Sequence, residues 1–296
     1  MKKRLLTVVL VLSLTLIVVP VARAGFLNWL FGISVGEEEF TIGLIPAQTQ
    51  GEMAPAIEKL TDHLKVELDK QVQIDTYPDY NGVVEAMNYG QIDMAYFGPL
   101  TYVIANQQVG AQAIITQLVD DTPYYYSYIV THKDSPLDSL NDLIAKADEL
   151  DVAFGDPSST SGGLIPNIAF KEDGINIDDA FNSLTYTGSH DATALAVQDQ
   201  QVDAGAIDSA IFDTLVANEV IDGDKFKVIW RSEKLFQYPW AVSRDVEEEL
   251  IDQIREAFYK IDNQEVLDAF GASGFTKAVD EDYEPIREAA KEEGRI

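Results

Sequence analysis

The chain of 296 residues contains no cysteine, which excludes disulfides and a lipidated cysteine anchor. Basic residues are few, because 21 Lys and Arg stand against 50 Asp and Glu and leave a formal net charge of -29 at pH 7. Internal repeats and low-complexity tracts are also lacking. Since such an acidic surface repels other polyanions, we expect neither nucleic acid nor an anionic membrane surface to be the main partner.

The apolar content indicates a folded protein rather than a disordered acidic chain. Hydrophobic residues make up 46% of the sequence, and the aromatic ones include 13 Tyr and 13 Phe. This amount is enough to bury the core of one large domain or of two medium ones. We therefore interpret the acidic residues as the surface of a folded protein.

The acidic surface predicts that folding depends on salt. Like charges repel one another on a compact surface, and salt screens that repulsion. We expect the free energy of unfolding to rise from low to molar NaCl, as in a protein from a salty habitat. Urea unfolding at a series of salt concentrations measures this, and a constant free energy would mean that the charges serve solubility alone.

The N-terminus has the three parts of a secretory signal peptide. Residues 2–4 are basic, residues 5–21 form an apolar run, and the small residues Ala22 and Ala24 precede the predicted cleavage site. An uncleaved anchor is the alternative, because the apolar run is almost long enough to span a bilayer. With residues 1–24 as a signal peptide, we expect a mature protein in the periplasm.

Strand and helix patterns alternate along the rest of the chain, which predicts an α/β fold with parallel sheets covered by helices. Buried-strand composition recurs at 39–45, 72–76 and 92–97, with helical spacing at 55–68 and 83–89. The same rhythm restarts after a predicted aromatic strand at 124–131, with a helix at 137–150, and only a charged tail is predicted after residue 270.

We predict two lobes, because the aromatic strand leaves the first α/β unit and a segment at 235–242 returns to it. Residues 38–126 and 238–296 form the predicted first lobe, residues 127–237 form the second, and residues 25–37 form a tether.

A glycine-flanked loop of hydroxyl residues, 155–163, lies between a predicted strand and a predicted helix. The free N–H groups of a first helical turn, the helix dipole and the hydroxyls of Ser159, Thr160 and Ser161 suit an oxyanion. An ordinary N-cap is the alternative reading, in which one side chain caps the helix and the rest is solvated. The loop lacks Gly-Lys-Ser/Thr and is therefore not a nucleotide P-loop.

His190 and Asp208 each follow a predicted strand and precede a predicted helix. Ligands of open α/β sheets bind at the carboxyl ends of strands, so both side chains are candidates for the same cleft. The alternative for Asp208 is a helix cap. His63 and His132 have no such position, and we interpret them as structural or exposed.

Six short segments, in this order, are similar to the phosphate/phosphite/phosphonate-binding family of ABC-transporter solute receptors. They are 79–82 (DYNG), 96–99 (YFGP), 126–127 (YS), 155–162 (GDPSSTSG), 188–190 (GSH) and 201–204 (QVDA). The resemblance runs from about residue 39 to 245. It implies a type II periplasmic-binding fold, in which two lobes joined by two hinge strands close on a ligand and deliver it to a membrane permease. By motif, the ligand-binding residues that it implies are Tyr80, Tyr126, Ser159, Thr160, Ser161 and His190.

The chain departs from the aminophosphonate-binding members of this family, which hold the ligand's ammonium group with two carboxylates. Ala210 and Tyr238 stand at the matching places here. We therefore expect a compact ligand without an amine: phosphite, phosphate or methylphosphonate. Asp208 is the expected acceptor for a P–OH proton. The aromatic walls predicted for the pocket are Tyr80, Tyr96, Phe97, Tyr126 and Tyr238, with core packing as the alternative for each and the favoured one for Phe97.

Three other functions stay open at this point. A hydrolase could use Ser159 as nucleophile, His190 as base and Asp208 as orienter, although no Gly-x-Ser-x-Gly elbow is present. A receptor for another oxyanion, such as a sulfonate, and a sensor lobe are the others. We expect a monomeric receptor without catalysis, cofactor or metal.

Overall fold

The computed structural model describes residues 39–48 and 50–296, in which two main β-sheets are covered by helices. The predicted signal peptide (1–24) and tether (25–37) lie outside the described residues. Within the described part, no helix has the length and hydropathy that a membrane-spanning segment requires. The predicted α/β class is confirmed.

Strands and helices alternate along most of the described chain. The strands are β1 (Phe40–Leu44), β2 (Val72–Thr76), β3 (Met94–Tyr96), β4 (Gln112–Leu118), β5 (Tyr124–Tyr125), β6 (Ser127–His132), β7 (Asp151–Phe154), β8 (Ser183–Tyr186), β9 (Ala204–Asp208), β10 (Phe226–Arg231), β11 (Leu235–Phe236), β12 (Pro239–Val242) and β13 (Gly274–Lys277). The α-helices are α1 (Gln50–Leu68), α2 (Tyr80–Asn88), α3 (Pro99–Val109), α4 (Leu140–Ala145), α5 (Ile165–Glu172), α6 (Ile177–Ala180), α7 (His190–Gln198), α8 (Ser209–Ala217), α9 (Glu248–Tyr259), α10 (Gln264–Ala269) and α11 (Glu284–Glu292).

The first sheet has six strands in the order β13-β4-β12-β3-β1-β2. β1 pairs in parallel with β2 and β3, whereas β12 and β13 run antiparallel to their neighbours. Central strands are covered on both faces, and accordingly Ile42, Leu44 and Met94 are all buried.

The second sheet has five strands in the order β10-β6-β9-β7-β8. β7 pairs in parallel with β8 and β9, and β6 runs antiparallel to both β9 and β10. Between the two sheets in sequence, β5 pairs antiparallel with β11 in a ribbon of two residues per strand. The chain passes from the first sheet to the second through β5 and returns through β11, close to the predicted lobe boundaries.

Helices begin just after the carboxyl ends of the parallel strands in both sheets. α2 follows β2 and α3 follows β3 in the first sheet, while α7 follows β8 and α8 follows β9 in the second. This arrangement gathers helix N-termini at one edge of each sheet, where open α/β sheets bind their ligands.

Two of the predicted elements were wrong. The segment 124–131 is not one strand, because Tyr126 lies between β5 and β6 and its N–H donates to Ser209 Oγ at 2.9 Å. The segment after residue 270 is not a charged tail: β13 pairs with β4, and Ile286 and Ala290 on the inner face of α11 are buried. Charge in α11 therefore marks the outer face of an amphipathic helix.

Candidate ligand-binding site

The hydroxyl loop forms a capped turn at the end of β7. Ser159 is the N-cap, and its Oγ accepts a hydrogen bond from Gly162 N at 3.1 Å. The wide π-helical turn Thr160–Leu164 follows and leads into α5. Ser161 is completely buried, and its carbonyl accepts a 2.7 Å hydrogen bond from Ser127 Oγ. The backbone of the turn is therefore anchored independently of the Ser161 side chain.

Glycine lets this turn lie directly against neighbouring groups. A Cβ atom on Gly162 would lie 3.0 Å from His190 Cε1, and one on Gly163 would lie 2.6 Å from the Asp156 carbonyl oxygen. The contact at Gly163 is shorter than real Cβ atoms make, and the contact at Gly162 would require His190 to shift by a few tenths of an ångström. The two glycines thus allow the turn to approach His190, which the sequence places 28 residues further along the chain from Gly162.

His190 is the first residue of α7, and its side chain is completely buried. Its Nδ1 accepts a hydrogen bond from the Asp208 backbone N–H at 3.3 Å, and its Nε2 lies 3.2 Å from Tyr238 Oη. Burial lowers the pKa of His190 to about 4, against the opposing effect of Asp191. The ring is therefore neutral at pH 7, with its proton on Nε2 because Nδ1 acts as an acceptor.

Asp208 ends β9 and caps α8. Its Oδ1 accepts hydrogen bonds from Ala210 N at 2.7 Å and Ile211 N at 3.0 Å. Its Oδ2 is buried without a hydrogen-bond partner in the described part of the chain. Burial raises the pKa of Asp208 to about 7, while the two backbone N–H groups and the Tyr238 hydroxyl lower it. The helix-cap reading and the site reading are thus both compatible with this carboxyl group.

Helices of the first sheet meet the same turn. Leu100 N, in the first turn of α3, donates to Thr160 Oγ1 at 2.8 Å. Asn81 Oδ1, in the first turn of α2, accepts from Ser158 Oγ at 3.0 Å. The positive ends of α2 and α3 therefore face the N-termini of α5, α7 and α8, which makes the space between the sheets favourable for an anion.

Buried tyrosines surround these helix ends. Tyr80, Tyr96, Tyr125 and Tyr238 are all between 1% and 6% exposed. Desolvation raises the pKa of each of them, and the nearby Asp208 carboxyl group raises it further, so their hydroxyls keep their protons. The hydroxyl of Tyr96 accepts a hydrogen bond from Gln117 Nε2 at 3.0 Å, and it can still donate its own proton.

Tyr125 rather than Tyr126 faces the hydroxyl turn. Tyr125 is 1% exposed, and the hydroxyls of Thr160 and Ser161 influence its pKa. Tyr126 points the other way, with the Arg231 guanidinium carbon 4.1 Å from the centre of its ring. Consecutive residues of an extended segment face opposite sides, so Tyr125 is the one of this pair that lies beside the turn. A ligand contact by Tyr126 stays a prediction.

Phe97 and the other histidines have structural positions. Phe97 is fully buried in the core of the first sheet. His63 Nε2 lies 2.8 Å from the Ala257 carbonyl oxygen, and His132 is close to Gln200. These residues lie where the core and surface readings of the sequence put them.

Three buried polar atoms around the turn have no hydrogen-bond partner among the described residues. They are Ser161 Oγ, Tyr125 Oη and Asp208 Oδ2. Buried polar atoms in native proteins are nearly always paired, and an unpaired one destabilises the fold by about 1–3 kcal/mol. Two hydroxyls and one carboxyl oxygen that lie unpaired around one turn therefore indicate a polar ligand.

The arrangement does not contain a nucleophile activated by a base. Ser159 Oγ caps Gly162 N, whereas His190 Nε2 faces Tyr238, so no hydrogen bond joins Ser159 to His190 in the described structure. The described residues also contain no group of three or more His, Cys, Asp or Glu side chains placed to hold a metal ion.

Two helix-covered sheets, two short crossing strands and helix N-termini that converge between the sheets define a type II periplasmic solute-binding protein. The family model for the periplasmic substrate-binding protein of phosphonate ABC transporters matches residues 42–283. The chain belongs to this family.

Curated relatives match over most of their length. The phosphonates-binding periplasmic protein of Escherichia coli (strain K12) is 30% identical over 263 residues, which cover 86% of this chain and 76% of the relative. The phosphate-import protein PhnD of Mycolicibacterium smegmatis is 29% identical over 279 residues, which cover 84% of each protein.

Solved structures agree with this fold. A binding component of an ABC phosphonate transporter from Pseudomonas aeruginosa superposes with a TM-score of 0.81 at 26% identity, covering 88% of each chain. PhnD1 from Prochlorococcus marinus in complex with methylphosphonate superposes with a TM-score of 0.79 at 25% identity, covering 87% of this chain and 99% of the other.

Proposed function

We propose that this protein captures a small phosphorus oxyanion, namely phosphite, phosphate or methylphosphonate, between its two sheets and delivers it to an ABC permease. The single observation that carries this proposal is the set of unpaired buried atoms Ser161 Oγ, Tyr125 Oη and Asp208 Oδ2 around one turn. A tetrahedral oxyanion with one protonated oxygen would pair with all three. Residues 1–24 direct export in this proposal, and the binding protein acts in the periplasm.

The proposed affinity comes from neutral donors instead of lysine or arginine. Each hydrogen bond from such a donor to a charged oxygen is worth about 1.5–3 kcal/mol. Four or five of them, after the ordering of the ligand is subtracted, would reach a micromolar Kd or better, since 1 μM corresponds to about -8.2 kcal/mol. Neutral donors also permit release, because no ion pair has to be broken when the lobes open.

Lobe closure follows from the same contacts. We propose the lobes 38–126 with 238–296 and 127–237, and the hinge at β5 and β11. Several hydrogen bonds then join the lobes near the site. Among them are Leu100 N to Thr160 Oγ1, Ser158 Oγ to Asn81 Oδ1, and His190 N to the Ala47 carbonyl oxygen. A ligand that binds both sides favours the closed arrangement, which the permease would recognise.

An ammonium group has no carboxylate partner at the positions predicted for it. Ala210 stands at one, and at the other the ring of Tyr238 is buried, with centroid distances of 5.5 Å to Tyr96 and 5.4 Å to Tyr125. The apolar ring fills the space that a carboxylate would use. The proposed ligands are therefore small and lack an amine.

Isothermal titration with a panel of ligands tests the proposal. We expect Kd values of about 1 μM or below for at least one of phosphite, phosphate and methylphosphonate. 2-Aminoethylphosphonate should bind at least about 100-fold more weakly, because Asp208 Oδ2 pairs with the P–OH group in this proposal and the ammonium group would be buried without a carboxylate of its own. Tight binding of an alkylsulfonate alone would favour the sulfonate receptor, and turnover of a phosphate ester would favour the hydrolase.

A further inference from the structure

The hydrogen-bond network fixes which groups of the site donate and which accept. Because the Asp208 backbone N–H donates to His190 Nδ1, the ring proton is on Nε2, next to Tyr238 Oη. Nε2 then donates to Tyr238, so the Tyr238 hydroxyl proton is directed to another acceptor. The Tyr238 hydroxyl also lowers the pKa of Asp208, so it lies near this carboxyl group as well as near His190.

The unpaired hydroxyls around the turn can also act as hydrogen-bond donors. The unpaired hydroxyls of Ser161 and Tyr125 each carry a proton, and desolvation keeps the phenol of Tyr125 protonated at every pH of interest. A bound oxyanion satisfies them by accepting. The turn therefore suits unprotonated phosphoryl oxygens, which accept hydrogen bonds, and is less suited to a P–OH group, which donates one.

Asp208 Oδ2 is the exception among the unpaired atoms. Its partner oxygen, Oδ1, is already saturated by Ala210 N and Ile211 N, so Oδ2 alone is left for a ligand. When the carboxyl group is ionised, Oδ2 can only accept a hydrogen bond. Of the three unpaired atoms around the turn, Asp208 Oδ2 is then the acceptor, whereas the hydroxyls of Ser161 and Tyr125 can donate.

Among the described residues, no basic side chain pairs with this carboxylate. The groups whose pKa Asp208 raises are the tyrosines on α2, β3, β5, β6 and before β12, namely Tyr80, Tyr96, Tyr125, Tyr128 and Tyr238. The neutral His190 lies beside it, and Asp213 on α8 adds a second negative charge that opposes its ionisation. An ionised Asp208 and a fully ionised oxyanion would repel each other in a dry cleft without a counter-charge.

We propose that Asp208 and the bound phosphorus oxyanion share one proton, so that binding above neutral pH takes up a proton and oxyanions too weakly basic to share one, such as sulfate, bind more weakly. This inference rests on the proposed function. The proton lies between Asp208 Oδ2 and one phosphoryl oxygen, and the remaining oxygens accept from the turn and the helix N-termini. Asp208 is thereby the residue that determines the protonation state of the ligand.

The direction of the pH dependence follows from counting protons. At about pH 8.5 the free ligand is mainly the dianion and free Asp208 is mainly ionised, whereas the complex holds one proton. Binding then consumes one proton, and the association constant falls about tenfold for each pH unit. Calorimetry in two buffers of different ionisation enthalpy measures this number directly, and we expect about one proton taken up per methylphosphonate bound.

The Asp208→Asn variant tests the role of the carboxyl group. Asn keeps the helix cap through its carbonyl oxygen and turns an N–H donor toward the ligand, so the complex needs no shared proton. We expect no proton uptake, an affinity for methylphosphonate that is constant between about pH 8 and 9, and sulfate binding at least about tenfold tighter than in the wild type.

Asp213→Asn is the matched control. It removes a negative charge on the same helix, close enough to raise the pKa of Asp208, and leaves Oδ2 in place. We expect this variant to retain the uptake of one proton and the weaker binding of sulfate. If it lost both as Asp208→Asn does, the effect would belong to net charge and the proposal would be overturned.

The remaining outcomes separate this inference from the proposed function. Binding of methylphosphonate to the wild type with no proton uptake at about pH 8.5 would overturn the shared proton and leave the receptor function intact. Sulfate affinity unchanged by Asp208→Asn would also contradict it. Absence of binding by every phosphorus oxyanion to the wild type would instead remove the proposed function, and the inference with it.

Discussion

Replacing Ser161 by alanine is expected to lower the affinity for the phosphorus oxyanion by about 10- to 100-fold while the free energy of unfolding stays the same or rises slightly. The reason is that Ser161 Oγ is buried and has no hydrogen-bond partner among the described residues. Its removal takes a donor from the ligand and an unpaired polar atom from the free protein. Isothermal titration gives the affinity, and urea unfolding without ligand gives the stability.

Ser183→Ala is the control for Ser161→Ala. Ser183 lies on the edge strand β8, where its Oγ donates to Asp151 Oδ1 at 2.6 Å, and it is exposed. We expect the Ser183→Ala variant to bind the phosphorus oxyanion with the same affinity as the wild type. If Ser161→Ala bound as tightly as Ser183→Ala does, the hydroxyl turn would not be the oxyanion site. A loss of folding stability in Ser161→Ala would show that the hydroxyl has a structural partner.

Gly271→Ala is expected to weaken ligand binding by about tenfold or more through the closing motion and not through a ligand contact. Gly271 follows α10 on the first-sheet side, and Thr214 lies on α8 after β9 of the second sheet. A Cβ atom on Gly271 would overlap Thr214 Oγ1, which is held by a 2.9 Å hydrogen bond to the Ala210 carbonyl oxygen. The added methyl group would prevent the two proposed lobes from closing completely at this contact. Titration gives the affinity, and small-angle scattering with saturating ligand shows the shift toward the open form.

Gly90→Ala is the control that separates the effect of the clash with Thr214 from the effect of backbone strain. Gly90 and Gly271 have similar positive φ values of 65° and 59°, but a Cβ atom on Gly90 meets nothing within 4 Å. Both substitutions should destabilise folding by about 1–2 kcal/mol, because an L-residue is strained in the left-handed region. Only Gly271→Ala should lose affinity. Equal affinities in the two variants would mean that α8 and the end of α10 do not approach each other when ligand binds.

The alternation of strands and helices could be predicted because its signals are local. β1, β2 and the helix that follows β2 lie within a few residues of their predicted places, since apolar spacing can be recognised in short windows of sequence. β4 and β13 escaped prediction. β13 pairs with β4, with residue 274 opposite residue 118, and β4 pairs with β12 on its other side. No short window of sequence contains such long-range contacts.

The residues of the candidate site that lie at strand-to-helix junctions could be predicted from the sequence. The Ser159 cap, His190 at the start of α7 and Asp208 at the end of β9 all lie where the sequence indicates a strand-to-helix junction. The sequence did not indicate which of the three consecutive tyrosines at 124–126 faces the site. Their orientation depends on how the two-residue strand β5 pairs with β11. The pairing of His190 with Tyr238 joins residues 48 positions apart and required the fold.

The ribbon of β5 and β11 holds its tyrosines on two faces. Tyr125 turns inward, whereas Lys234 Nζ lies 4.1 Å from the ring centre of Tyr124 and the Arg231 guanidinium lies as close to Tyr126. Two of the scarce cations of this acidic protein thus cover the outer rings. A one-residue insertion or deletion here would exchange the inner and outer rings and dismantle the pocket without unfolding either sheet.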